Sequence, residues 1–353
     1  MHGREGARLR SAALVAALLI CGALLAGGGD HAFVHAAPAR ALSTPPPVAW
    51  PDDGAIDHPV ASTGCARPAP VAPGVSAEQS VAIAPAAANG ASTRSYRVHV
   101  PTGYAATRQT PVVLVFHGGG GRDTATEAAT GFSALADQQG FLAVYPQGLA
   151  FAALGAGYTT WAATGPLDSI ANGVDERLYI SNLLDALQAH FCVAARRIYA
   201  TGFSAGGAMT AFLTCTLAGR FAAFAPLSGD AYTFPGGCHP SRSTSILEFH
   251  GSADPYELYT GIPAREDPDY RRIGVLEWLT IWAQRDGCTS GPAVFVQVAR
   301  VVGEQWSGCR DGTAVAHYRL IGWGHALPPA IDGVSADGVI WRFFQAHPLV
   351  SAT

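Results

Sequence analysis

Gly202-Phe203-Ser204-Ala205-Gly206 is a G-x-S-x-G pentapeptide, preceded by apolar Ile198, Tyr199 and Ala200 and followed by a helix-compatible run from Gly207 to Leu217. A strand, a sharp turn and then a helix is the context that holds a strained serine with its hydroxyl exposed at a sheet edge. The glycines leave the main chain room to turn. With 41 glycines in 353 residues, such a pentapeptide also arises by chance, so its meaning depends on partners elsewhere in the chain.

Outward from it, short apolar runs alternate with helical patterns. Strands are expected at Tyr96 to Val100, Val112 to Phe116, Phe141 to Tyr145, Ile198 to Thr201, Phe221 to Leu227, Ile246 to Phe249 and Tyr318 to Ile321. Helices are expected over Thr124 to Gln139, Asp175 to His190, Arg272 to Arg285 and Gly338 to Gln345. In the second of these, Ile180, Leu183, Leu184, Leu187 and Phe191 recur at helical spacing. This alternation predicts a mainly parallel sheet covered by helices on both faces. In such sheets ligands bind beyond the carboxyl ends of the strands.

A serine hydroxyl needs a general base, itself oriented by a carboxylate. Asp254, in His250-Gly251-Ser252-Ala253-Asp254-Pro255, and His325, in Gly322-Trp323-Gly324-His325, each follow an expected strand. The chain order Ser204, Asp254, His325 is that of the strand–turn–helix nucleophile sites. Alone, Asp254 reads by default as a turn-forming Asp before Pro, and His325 equally well as a loop histidine. Together with Ser204 they read as a triad. His250, His317 and His347 read instead as packing or locally bonded histidines. After the strand Val112 to Phe116, His117-Gly118-Gly119-Gly120-Gly121 reads as an oxyanion loop, with N–H groups of Gly118, Gly119 and Ala205 as donors. The rival reading, a phosphate-cradling loop, fails because no G-x-G-x-x-G register fits.

Composition bounds the rest. All 22 basic residues are arginine, so chemistry that needs a lysine is excluded, the Walker A loop and the pyridoxal Schiff base included. A net charge of -4 without a basic run argues against nucleic acid as a partner. No paired ligand spacing indicates a metal, and no cofactor is implied. Arg4, Arg8 and Arg10 precede an apolar run from Ala12 to Ala26, which reads as an export signal over 1–37. The run falls short of the roughly 20 residues a membrane-spanning helix needs, so no stable membrane insertion is expected after its removal. A Pro- and Ala-rich linker is expected over 38–64, a catalytic domain over 65–348 and a tail over 349–353. Six cysteines remain outside the signal, an even set that favours disulfides and allows fifteen pairings. Cys288 with Cys309 is the pair that spacing favours.

Cys65, Phe116 to Gly121, Tyr145-Pro146-Gln147-Gly148, Gly202 to Gly207, His250 to Pro255 and Gly322 to His325 together resemble the secreted polyhydroxybutyrate (PHB) depolymerase-like and feruloyl esterase group of α/β-hydrolases. The resemblance runs from about Cys65 to His347. It implies the α/β-hydrolase fold, Ser204 as nucleophile, His325 as general base and Asp254 as its orienting carboxylate. It also implies an extracellular or periplasmic serine esterase acting on small-molecule or polysaccharide-linked esters. Two departures stand out: Glu176 and Arg177 follow Val174-Asp175 where the group has a second Asp, and Ala326-Leu327-Pro328 follow His325. Trp161, Tyr158 and Trp323 are candidates for an aromatic substrate cleft, with ordinary packing the alternative. An acyltransferase using the same triad, and a non-catalytic surface-binding protein of the same fold, are the competing readings.

Overall fold

The structure is a computed structural model. It describes residues 56–83, 92–151, 154–163, 174–229, 231–232, 237–262, 272–328 and 330–350. The expected signal and most of the expected linker lie outside the described residues.

Twelve strands and six helices follow one another along the described chain. The strands are β1 (Ser76–Ala82), β2 (Thr93–His99), β3 (Thr110–Phe116), β4 (Leu142–Pro146), β5 (Leu149–Ala150), β6 (Thr159–Thr160), β7 (Val193–Phe203), β8 (Ala223–Leu227), β9 (Ser245–Gly251), β10 (Ser290–Val298), β11 (Val301–Ser307) and β12 (Val315–Leu320). The helices are α1 (Asp123–Ala129), α2 (Phe132–Gln139), α3 (Glu176–His190), α4 (Ala205–Thr216), α5 (Val275–Arg285) and α6 (Ala336–Ala346). Strands β5 and β6 form a small hairpin, and the other ten build one sheet in the order β1-β2-β4-β3-β7-β8-β9-β12-β11-β10. Its six central strands, β4 to β12, pair in parallel. The outer pairs on each side are antiparallel.

Alternation of side chains along each strand divides the core in two. On β3, Val112, Leu114 and Phe116 face a layer that also holds Leu183 and Leu187 of α3, Phe212 of α4 and Trp278 of α5. Val113 and Val115 face the opposite layer, with Phe132 of α2 and Ile340, Trp341 and Phe344 of α6. On that side Trp341 packs on Phe141 and Phe344 stacks on Tyr199, with ring centroids 4.3 and 4.7 Å apart. Both sheet faces are therefore dry, which is why the central strands read as unbroken apolar runs.

Three expectations shift. The helix expected from Thr124 to Gln139 is two helices: the chain turns extended at Thr130, and Gly131 starts the second. Strands β1, β10 and β11 are additional. β10 is an exposed edge strand whose apolar alternation is interrupted by Gly291 and Pro292. Finally, the stretch read as a tether is docked from Ile56 onward. Asp57 accepts from Gly219 N at 2.6 Å, and Ser62 Oγ donates to Phe191 O at 2.6 Å. The packed body therefore starts before Cys65, and it extends to Leu349, whose main chain bonds Arg196.

Among the described residues three disulfides are present. Cys288–Cys309 joins as spacing favoured, flanking the β10–β11 hairpin, while Cys65–Cys192 ties the N-terminal segment to the start of β7 and Cys215–Cys238 anchors the end of α4. Among the described residues no helix is long and apolar enough to cross a membrane.

Candidate active site

Ser204 stands between β7 and α4 with φ 58° and ψ -123°, a strained backbone for a residue with a Cβ. Close packing of main chain holds it there. A Cβ built on Gly202 would lie 2.6 Å from Gly206 C, and one on Gly206 would lie 2.7 Å from His117 O. Gly207 approaches the Leu227 carbonyl equally closely. Each glycine of this turn thus removes a side chain that would collide with backbone. Ser204 N donates to Leu227 O at 2.9 Å, fastening the turn to β8.

The loop after β8 completes the cradle and was not anticipated. Ser228 has φ 47°, and it carries Gly229 against the elbow. A Cβ on Gly229 would fall 2.8 Å from Ser204 C and 3.0 Å from Ala208 N, with the Ser204 carbonyl oxygen nearer still. A lone Ser-Gly after a strand carries no recognisable motif.

Asp254 and His325 come together as expected. His325 Nδ1 lies 2.7 Å from Asp254 Oδ2. Asp254 is 3% exposed, and its other oxygen accepts from the N–H groups of Tyr256 and Glu257 at 2.9 Å each. These bonds satisfy a buried carboxylate and aim it at the ring. Because Asp254 accepts at Nδ1, the proton of neutral His325 belongs there, leaving Nε2 as the basic nitrogen. The ring lies between Phe203, at 4.6 Å, and Tyr256, at 5.4 Å. His325 is thereby brought beside the elbow, against the residue preceding Ser204. The Ser204 hydroxyl makes no direct hydrogen bond to it in this structure, and such bonds are commonly loose before substrate binds.

Behind Asp254 lies a buried polar network. His250 Nε2 is 3.8 Å from Asp254 Oδ2 and 2.7 Å from Glu257 O, while its Nδ1 is 3.1 Å from Glu248 Oε1. Both ring nitrogens face oxygen acceptors, an arrangement that an imidazolium satisfies with its two donors. Glu248 is fully buried, and His317 Nδ1 lies 2.5 Å from its second oxygen. Burial alone would raise the Glu248 carboxyl, but His317 and His250 outweigh it and hold the group down at about 2. Tyr259 Oη bonds the far nitrogen of His317 at 2.9 Å. His250 and His317, read as packing or locally bonded histidines, thus belong to the buried polar network behind Asp254.

The glycine loop after β3 abuts Ser204: a Cβ on Gly118 would lie 3.5 Å from Ser204 Cβ. His117 shapes this loop. Its Nε2 accepts from Gly148 N at 2.9 Å, so its Nδ1 carries the proton and donates to Gly118 O at 2.7 Å. Burial holds its pKa below the ordinary histidine value. Gln147 Oε1 accepts from Asp123 N at 3.0 Å, which explains why Gln147-Gly148 accompanies the glycine loop. The N–H groups of Gly118, Gly119 and Ala205 have no acceptor within the described residues. At α4 this follows from position, since the first N–H groups of a helix lack intrahelical partners.

The three aromatic candidates separate. Trp161 does not line a cleft: it is 2% exposed, and its Nε1 donates to His117 O at 2.8 Å. It packs edge-on to Phe116, so it is a brace for the glycine loop. Tyr158 is 38% exposed and covers Gly119 and Gly120. Trp323 is half-buried and packs against the α6-side core. The departure at Glu176 also has a structural role, because Glu176 is buried, pairs with Arg94 at 3.0 Å and accepts from Ala162 N. Among the described residues no group of three His, Cys, Asp or Glu side chains forms a metal site.

A six-stranded parallel centre, a serine elbow at its carboxyl end and an Asp-His pair after two later strands together decide the architecture. The chain has the α/β-hydrolase fold. A family model described as esterase PHB depolymerase matches residues 94–261, a span that includes the glycine loop, the elbow and Asp254. A bifunctional acetylxylan esterase/xylanase of Neocallimastix patriciarum is 26% identical over 68% of this chain and 32% of its own length. Feruloyl esterase B of Piromyces equi is 27% identical over 66% of this chain and 42% of its own. Poly(3-hydroxyalkanoate) depolymerase C of Paucimonas lemoignei is 34% identical over 38% of this chain and 31% of its own. The chain thus spans less than half the length of these relatives. An acetyl xylan esterase from Aspergillus awamori has the same fold, with a TM-score of 0.52, 16% identity and coverage of 76% of this chain and 99% of that one. These findings agree with the resemblance to the PHB depolymerase-like and feruloyl esterase group of α/β-hydrolases.

Proposed function

We propose that this α/β-hydrolase is a serine carboxylic ester hydrolase working through Ser204, His325 and Asp254. The observation that carries the reading is the 2.7 Å pairing of His325 with a fully bonded, buried Asp254 at the strand end where Ser204 is held at φ 58°. That geometry orients a base and strains a nucleophile, which no purely structural role requires.

In the reaction, Ser204 Oγ bonds to the ester carbonyl carbon as its proton passes to His325 Nε2. The carbonyl electron pair moves onto oxygen, where the N–H groups of Ala205, Gly118 and Gly119 receive the charge. Collapse breaks the bond to the leaving alkoxide, which takes the proton from His325 and departs as the alcohol. Water then attacks the acyl carbon, giving a proton to His325; the bond from that carbon to Ser204 Oγ breaks, Oγ takes the proton back from His325, and the acid departs. The protein supplies every group in this sequence.

Acyl groups on plant polysaccharide and short hydroxyalkanoate esters are the substrate classes that the named relatives support. Three disulfides fit work in an oxidising compartment, outside the cytoplasm. The test compares methyl ferulate, acetylated xylan and a 3-hydroxybutyrate oligomer with wild type and Ser204→Ala. Hydrolysis of at least one, lost by several orders of magnitude in the variant, supports the reading. Equal rates in both would refute it. Product analysis with added alcohol separates hydrolysis from acyl transfer.

A further inference from the structure

A cleft of about 380 Å³ opens beside the elbow on the α6 side of the sheet. Val115, Gly118, Thr201 and Phe203 form its floor, Thr126, Ala129 and Phe132 one wall, and Leu327, Pro328 and Ile340 the other. It shares Gly118 and Phe203 with the candidate active site. Trp161 and Tyr158 do not line it.

We propose that this cleft binds the acyl group of the substrate and selects an uncharged, apolar acyl chain longer than acetyl. The inference rests on reading the chain as an esterase acting through Ser204. Three observations carry it. First, neither Ser204 nor His325 is part of the lining, but Gly118 and Phe203, which adjoin Ser204 in space and in sequence, are. The leaving oxygen must meet His325, so a carbonyl carbon on Ser204 turns its alcohol side toward His325 and its acyl side away from it, toward the cleft. Second, the threonine hydroxyls of the lining are already satisfied internally. The hydroxyls of Thr126, Thr130 and Thr201 donate to main-chain carbonyls of Arg122, Thr126 and Ala225 at 2.8, 2.9 and 2.7 Å. Ser335 Oγ caps α6 through Gly338 N. None of these threonine hydroxyls calls for a polar ligand, and burying an apolar one strands none of them. Third, the volume falls in the lower part of the range of about 300–1,000 Å³ seen for small-molecule sites. A single acetyl methyl would leave it mostly empty.

The charge at one end sets a further limit. The Asp337 carboxylate packs on Gly131 at the start of α2 and lines the cleft. An anionic acyl group, such as a succinyl half-ester, would meet it and be repelled.

The test is an acyl-length series of p-nitrophenyl esters, acetate through octanoate, with methyl ferulate beside it. The wild type is compared with Ala129→Trp, on the exposed wall helix, and with Leu327→Trp, on the opposite loop. Each added methylene in an apolar pocket is worth up to about tenfold or more. The wild type is expected to favour hexanoate over acetate in kcat/KM by at least tenfold, and either filling variant to cut that ratio at least tenfold. An unchanged ratio in folded variants, verified by thermal unfolding, would overturn the assignment. So would an effect confined to esters of constant acetyl and varied alcohol, which would make this the alcohol site. If no ester is cleaved in a Ser204-dependent way, the esterase reading itself fails, an outcome distinct from a lost length preference.

Discussion

Gly229→Ala tests whether Ser204, the proposed nucleophile, is positioned by backbone packing. The added methyl would lie 2.8 Å from Ser204 C and 3.0 Å from Ala208 N. Carbon atoms at rest in a protein sit about 3.5–4.0 Å apart, so one partner must move by roughly 1 Å. Both partners are main chain, in a turn locked to β8 by Ser204 N and Leu227 O, so no flexible side chain can yield. Overpacking of this kind costs about 1–3 kcal/mol. A shift of about 1 Å in a catalytic group costs on the order of 100-fold in rate. The expected outcome is a loss of around 100-fold in kcat/KM on p-nitrophenyl butyrate, with a thermal midpoint lowered by several degrees. Gly312→Ala is the control. Gly312 has φ 67° and open space around its Cβ position, so alanine there destabilises by about 1 kcal/mol through backbone strain without touching the elbow. Wild-type rates in folded Gly229→Ala would refute the argument, as would equal rate losses in both variants.

Other substitutions probe the remaining supports. Asp254→Asn keeps the shape but leaves His325 Nδ1 without a carboxylate, and kcat is expected to fall roughly 10³–10⁴-fold in steady-state assays. Removing the Cys65–Cys192 bridge, which closes a loop of 127 residues, is expected to cost about 5 kcal/mol by loop entropy. Removing Cys288–Cys309, separated by 21, costs about 3 kcal/mol, so urea unfolding should rank them in that order. Burial raises the Asp286 carboxyl to about 7 despite Arg285, Arg242 and Arg310 nearby. Because its folded value exceeds its unfolded one, its contribution to stability is complete below about pH 4 and is lost as pH rises through 7. Asp286→Asn should flatten the melting temperature against pH across that window; parallel curves for the two proteins would contradict the burial argument.

The parallel centre of the sheet was legible because strands buried on both faces are written as unbroken apolar runs, as in Val112 to Phe116. β10 and β11 were not, since β10 is an exposed edge whose pattern is interrupted by Gly291 and Pro292. The elbow, Asp254 and His325 could be found because each is a short-range motif at a strand end. The supports of the site are long-range. Gly229 matters only because β8 ends beside β7, and Glu248 only because β9 pairs with β12 and so brings His317 to it. Trp161 shows the same dependence: beside the glycine loop it reads as a cleft wall or as ordinary packing, and its 2% exposure and its bond to His117 O make it a brace. The cleft itself joins residues from α1, α2, β7 and the loop after His325, a union that no local pattern announces.

The central claim is that Ser204 is a nucleophile activated by His325. Treatment with an activated p-nitrophenyl phosphonate ester, followed by peptide mass spectrometry, tests it most directly. One covalent phosphonyl adduct per chain is expected, on the peptide containing Ser204, absent in Ser204→Ala and formed far more slowly in His325→Ala. An adduct on another residue, or equal labelling of Ser204 in the presence and absence of His325, would contradict it.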